Sequence, residues 1–284
     1  VQVADDWGHG GGTLVVAFEG WNDAGESAST TARTVRDQLG LVPIVDVEPE
    51  DYFDYQFNRP VSTLDERGER VISWPSVVLS GPLDHSGDGI HVLLGTEPSR
   101  GWKTFTEEVL DAISVAGIDR IVFLGAMLAD VPHTRPIAVF ASSDNSSVRE
   151  RFDLERSSYE GPVGILSVLA DAAERSGIPT VSIWASVPHY VHNAPSPKAT
   201  LALIERLEDF IDLKVDRGTL AEDAAAWERG IDELASDDDD MTAYIEQLEQ
   251  ARDTVDSPEA SGEAIAQEFE KYLRKRDGDT PPAA

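Results

Sequence analysis

Two short apolar runs, each leading into the same tripeptide, constrain this chain more than any other feature. Ile121-Val122-Phe123-Leu124 is followed by Val131-Pro132-His133, and Thr180-Val181-Ser182-Ile183-Trp184 by Val187-Pro188-His189. A continuous apolar run of this length reads as a strand buried on both faces, the mark of a parallel sheet covered by helices. Gly125 reads as the break that ends the first run, and Pro132 cannot donate to a central ladder. Each strand thus delivers a Val-Pro-His loop at its carboxyl end. In an open parallel sheet these ends share one edge, where ligands and partners bind.

Other segments extend the pattern. Residues 13–18, 43–47 and 91–94 read as further strands, and 137–141 as an antiparallel or edge strand because so little chain precedes it. A helix of small residues runs to about Leu39. Phe105, Val109, Ile113 and Ala116 make one stripe of a helix over 104–116, and another helix covers 165–175. Ser196 and Pro197 are an N-cap and first-turn proline, opening a helix with Leu203, Ile204, Leu207, Phe210 and Ile211 inward. Residues 52–79 alternate around the turn Asp65-Glu66-Arg67-Gly68, as in an antiparallel insertion. Strands alternating with helices over 13–213 predict a three-layer α/β/α core with a mostly parallel sheet.

The remainder is different in kind. Residues 1–12 read as a flexible lead-in. From Thr219, paired with Glu222 as a capping box, apolar residues step by three and four: Leu220, Ala224, Trp227, Ile231, Leu234. Met241, Ile245, Leu248 and Val255 keep that period beyond Asp237-Asp238-Asp239-Asp240, which reads as a solvated linker. A third helix opens at Ser257-Pro258 with Ile265, Phe269, Tyr272 and Leu273. The predicted division is an α/β/α domain over 1–215, an acidic helical extension over 216–276 and a disordered tail over 277–284.

Charge and motifs remove whole classes of function. A net charge of −30 argues against nucleic acid and anionic membrane as partners and for solubility or a basic protein partner. No apolar run approaches the ~20 residues of a membrane span, and no signal pattern opens the sequence. The absence of cysteine excludes disulfides and thiolate metal sites and fits a cytoplasmic protein. There is no phosphate-binding Gly-Lys-Ser/Thr loop, no Gly-x-Gly-x-x-Gly after the first strand and no Gly-x-Ser-x-Gly elbow. His189 and His192 lack a third ligand, and the aspartate run lacks the spacing of a calcium loop. No cofactor and no metal are expected.

Four loops, 20–25, 95–102, 129–135 and 185–190, would bring Trp21, Asn22, Asp23, Glu97, Arg100, His133, Arg135, His189 and Tyr190 to one edge. Two histidines, a carboxylate and an arginine could form an acid–base or anion-binding site. The plainer alternatives are that Pro-His is a packed wedge and that Asp23 with Glu26 is a capping box. Trp21 is harder to account for, because a loop tryptophan needs a packing surface or a partner.

The motifs Gly20-Trp21-Asn22-Asp23-Ala24-Gly25, Gly95-Thr96-Glu97-Pro98 with Trp102, and Ala129-Asp130-Val131-Pro132-His133-Thr134-Arg135-Pro136 belong to a larger set. The others are Tyr159-Glu160-Gly161-Pro162-Val163-Gly164 and Trp184-Ala185-Ser186-Val187-Pro188-His189-Tyr190, continuing to Pro195-Ser196-Pro197-Lys198-Ala199. Together they resemble the proteasome assembly chaperone 2 family in its bacterial form. The resemblance implies an α/β/α core similar to phosphorylase and hydrolase folds, homo-oligomers and, in eukaryotic and archaeal relatives, non-catalytic binding to proteasome α-subunits. Those relatives dock through a terminal hydrophobic-Tyr-x ending. This sequence reads Thr280-Pro281-Pro282-Ala283-Ala284 there, so that route is not expected.

The resulting expectation is a non-enzymatic interaction or assembly protein acting as a homo-oligomer, a trimer rather than a dimer, with a proteasome-related or other protein partner. Trp102, Trp184, Phe53, Tyr55 and Phe57 exceed what one α/β body needs to bury, which favours self-association. The alternative is a phosphorylase/hydrolase-like small-molecule enzyme or anion binder that uses His133, Arg135, His189 and Glu97.

Overall fold

In the computed structural model, which describes Trp7 and residues 10–47, 49–83, 89–192 and 194–255, the strands that are apolar on both faces form the centre of one sheet. In chain order the elements are β1 (Gly12–Glu19), α1 (Ser27–Gln38), β2 (Val42–Val47), β3 (Val61–Leu64), β4 (Arg70–Ser73), β5 (Val77–Gly81), β6 (Ile90–Thr96) and α2 (Trp102–Val115). These are followed by β7 (Ile118–Ala129), β8 (Val139–Ser142), α3 (Ser146–Phe152), α4 (Ile165–Arg175), β9 (Thr180–Pro188), α5 (Pro197–Leu207), α6 (Leu220–Ser236) and α7 (Asp239–Val255). Seven strands pair in the order β2-β5-β6-β1-β7-β9-β8, and β3-β4 is a separate hairpin. The four central strands β6, β1, β7 and β9 are mutually parallel, while β2, β5 and β8 join antiparallel at the sides.

Alternation along each strand divides the core in two. Val15, Ala17, Val92, Val122 and Leu124 face α1 and α5, whose Ala28, Ala32, Leu203 and Ile204 complete that layer. Leu14, Val16, Phe18, Leu93 and Phe123 face α2 and α4 with Phe105, Val109, Ile113, Leu166 and Leu169. Burying the Val, Leu, Ile and Phe side chains of these layers stabilises by about 1.5–3 kcal/mol each, and both layers depend on the same strands. The α/β/α class read from the sequence is the class observed.

Three local expectations are corrected. Gly125 does not end its strand: β7 runs to Ala129, and Gly125 lies opposite Trp184 in the register with β9. A Cβ at Gly125 would come within 2.6 Å of the Trp184 ring, so glycine makes room for an indole on the neighbouring strand. Likewise β9 continues through Val187 to Pro188. Trp7, in the segment read as a flexible lead-in, is only 4% exposed. Its indole N–H donates to the Phe210 carbonyl at 3.3 Å, and its ring meets Phe152 and Phe210 edge-on.

The extension also departs in detail. Thr219 precedes α6 without capping it, and its hydroxyl donates to Asp223 instead. Leu234 is exposed, Ala235 taking the buried position. Asp239 and Asp240 form the first turn of α7, where the helix dipole favours negative charge, and Asp238 accepts from the Asp240 and Met241 amides. The third helix and the tail lie outside the described residues.

Gly125→Ala is expected to destabilise the fold by about 1–3 kcal/mol through overpacking against Trp184. The check is a lower urea midpoint at unchanged m-value, partly recovered when Trp184→Leu is added.

Candidate functional site

The loop after β1 is built almost entirely from residues with a structural task. The Asn22 carbonyl accepts from the Ala126 amide of β7 at 2.8 Å, and the Asn22 side-chain Nδ2 donates to Glu97 Oε1 at 3.1 Å. Asp23 does not form the expected capping box with Glu26. Its Oδ1 reaches the amides of Ala28 and Ser29 at 2.8 and 3.1 Å, capping α1 from five and six residues upstream. Gly25 has φ +61°, and a Cβ there would fall 2.8 Å from Ser196 at the start of α5. Burial pushes the Asp23 carboxyl above its ordinary range, and the bonds from Ser29 and Ala28 only partly offset this. Asn22 Oδ1 is buried and accepts from none of the described residues.

Trp21 is the exception. It is 67% exposed and makes no hydrogen bond or ring contact among the described residues. With Glu19, Gly20, Thr96, Glu97 and Trp102 it lines a cleft of about 420 Å³. The location follows from topology. β1 and β6 are adjacent and parallel, but β1 leads to α1 on one face of the sheet and β6 to α2 on the other. Adjacent connections that diverge to opposite faces open a crevice at the carboxyl ends of the strands.

The other half of the edge is covered. His133 is 0% exposed: Nε2 lies 3.0 Å from Asp232 Oδ1 on α6, and Nδ1 lies 2.9 Å from the Tyr190 hydroxyl, which also accepts from the His133 amide. An Nε2–H tautomer satisfies every one of these groups. Arg135 makes a two-bond contact with Asp253 of α7, both at 2.8 Å, and a third bond to Glu249, which also accepts from Thr134. Lys198 spans the His133 carbonyl and Glu228. Tyr244 of α7 packs edge-on against His189 and Tyr190. The Tyr190 phenol is pushed up to about 12, first by burial and then by nearby acidic groups.

The nine residues proposed for one site therefore divide. Trp21, Asn22, Asp23 and Glu97 gather at the β1–β6 crevice. His133, Arg135, His189 and Tyr190 lie beneath α6 and α7. His189 Nδ1 is 3.2 Å from Asp130 Oδ1 but outside hydrogen-bond geometry. Arg100 joins neither group, its guanidinium donating to the Glu50 and Asp51 carbonyls. Sequence reasoning missed Glu19 and Thr96, whose position at the ends of β1 and β6 was the available signal. Among the described residues no cluster of His, Asp and Glu is arranged to hold a metal, and no helix is long and apolar enough to cross a membrane.

The family model described as the PAC2 family matches residues 17–235. The chain belongs to the PAC2 family. A PAC2 family protein from Streptomyces avermitilis is 42% identical with a TM-score of 0.73, covering 82% of this chain and 99% of that one. A Mycobacterium tuberculosis proteasome-assembly chaperone homologue is 40% identical with the same TM-score and the same coverage. An archaeal homologue of proteasome-assembly chaperone from Pyrococcus furiosus, 17% identical with a TM-score of 0.55 and covering 84% and 94%, shares the fold. No curated protein sequence matches. Within this PAC2 chain the family match runs through the sheet and nearly to the end of α6, so it includes the helix that covers His133.

Because burial raises the Asp23 pKa, its contribution to stability is greatest below the unfolded value and is lost as pH rises through the folded one. Asp23→Asn, which keeps the accepting oxygen, is expected to match or exceed the parent stability at pH 7. Asp23→Ala should lose about 0.5–2 kcal/mol. Urea titrations at pH 4 and 7 measure both.

The Arg135 guanidinium holds the Asp253 carboxyl below its ordinary range. That contribution to α7 docking is present above the unfolded value of about 4 and is lost as pH falls through the depressed folded value. Hydrogen exchange should show Arg135→Ala speeding exchange in α7 at pH 7 while β1 and β7 stay protected.

Proposed function

We propose that this PAC2 protein is a non-enzymatic, assembly-chaperone-like interaction protein that acts as a homo-oligomer. The observation that carries this reading is the division of the strand-end edge. His133 and Arg135, on which a phosphorylase- or hydrolase-like reaction would depend, are held by carboxylates of α6 and α7. What stays open is a crevice beside a largely exposed tryptophan. A surface that offers an aromatic side chain and covers its titrating groups suits protein recognition better than proton transfer. The 40% identity to a protein described as a proteasome-assembly chaperone homologue points to proteasome-related partners.

Of the five aromatics that suggested self-association, Phe57 is the one left largely exposed. Phe53 is in the core, Trp184 packs over Gly125, and the Trp102 N–H donates to the Pro98 carbonyl. Phe57, at 84%, joins Val61, Leu64, Ile72 and Trp74 as exposed apolar side chains on and beside the β3–β4 hairpin. A two-stranded hairpin is marginal alone in water, and contact between copies would cover these side chains. The choice of a trimer over a dimer comes from the family resemblance. Cytoplasmic location belongs to the same reading.

Light scattering of the full chain, alone and mixed with proteasome α-type subunits of the source organism, tests the proposal. The expected result is three times the 30.9 kDa subunit mass, together with a heavier species in the mixture. A monomer at micromolar concentration that leaves the subunits unshifted would overturn it.

A further inference from the structure

We propose that the β1–β6 crevice is a receptor for an arginine side chain presented by a protein partner, the guanidinium lying against Trp21 and bonded to Glu97. The proposal rests on the interaction-protein reading and adds the chemistry of what is recognised. Glu97 is built for this task. Its Oε1 accepts from Asn22 Nδ2 at 3.1 Å and from the Ile165 amide at 3.0 Å, which fixes the carboxylate in place. Its Oε2 accepts from none of the described residues and lies on the side of Gly20, where a Cβ would be 3.8 Å away. Gly20 lines the cleft, so the unengaged oxygen is on its side.

No ion pair among the described residues neutralises Glu97, whereas Glu19, also in the lining, is paired with Arg33 at 2.9 Å. Trp21 supplies an indole that is 67% exposed and has no hydrogen bond or ring contact among the described residues. Indole is the strongest of the aromatic faces for a cation, and a guanidinium can stack on it while its planar fork meets a carboxylate. An ammonium offers no comparable plane. The net charge of −30 draws cations towards such a crevice and repels phosphates and nucleic acids. A cleft of about 420 Å³ has room for one extended basic side chain and its backbone.

The test uses the full chain, with ¹H–¹⁵N indole resonances of Trp21 and Trp102 followed during titration with N-acetyl-arginine methylamide and its neutral isostere, N-acetyl-citrulline methylamide. Saturable shifts are expected with the arginine compound, with the citrulline compound at least about tenfold weaker, the change one cation–π or charge-assisted contact can supply. Trp21→Ala alters a mostly exposed residue, and Glu97→Gln keeps an acceptor for Asn22 and Ile165. Each should weaken arginine binding by about tenfold with the remaining amide spectrum unchanged.

Equal binding of citrulline, or binding indifferent to both variants, overturns the proposal. The two readings fail separately. Loss of the arginine response with the oligomer and the proteasome-subunit complex intact removes only the receptor. An arginine response that follows the variants in a protein that neither oligomerises nor binds the subunits removes only the chaperone reading.

Discussion

The parallel run β6-β1-β7-β9 is the constraint on which the rest of the molecule depends. Strands buried on both faces must be covered twice, so each supplies apolar residues to two helical layers at once. Because the four strands share a direction, their loops leave from one edge. Residues as distant in sequence as Trp21 and His189 are brought to the same end of the sheet by strand direction alone. The β1 strand is central in both senses: it pairs with β6 and β7, and its loop bonds to β7 through the Asn22 carbonyl and holds Glu97 after β6 through the Asn22 amide.

That edge has two different ends. At β7 and β9 the connections pass beneath α6 and α7, and among the described residues Lys198 meets Glu228 and Arg135 meets Glu249 and Asp253, while the His133 imidazole bonds Asp232. At β1 and β6 the connections separate to opposite faces and leave a crevice. The same rule of strand direction therefore produces a covered surface and an open one, depending on whether a later helix crosses it.

Much of the framework was legible because it depends on local periodicity. The β1 run, the Phe105-Val109-Ile113 stripe and the Ser196-Pro197 helix start all carry their explanation within a few residues. The failures are cases in which a distant residue decides. Gly125 reads as a strand end because glycine weakens strands, yet its reason is the Trp184 ring on β9. Trp7 reads as part of a loose lead-in because its partners Phe152 and Phe210 are more than a hundred positions away. His133 reads as a candidate base because the Asp232 that receives it belongs to a segment with no local sign of where it docks. The candidate site was legible as an edge but not as an edge that its own chain half covers.

Covering one end also settles the sign of the other. A chain with a net charge of −30 has few cations to distribute, and Lys198 and Arg135 are committed to receiving α6 and α7, where the His133 imidazole also bonds Asp232. Carboxylates on those helices that would otherwise repel the acidic body become its means of attachment. Among the described residues the crevice retains Glu97 with no opposing cation, beside a tryptophan with no hydrogen bond or ring contact. An acidic protein that uses Arg135 and Lys198 to hold its own extension leaves an unpaired carboxylate at its open end among the described residues.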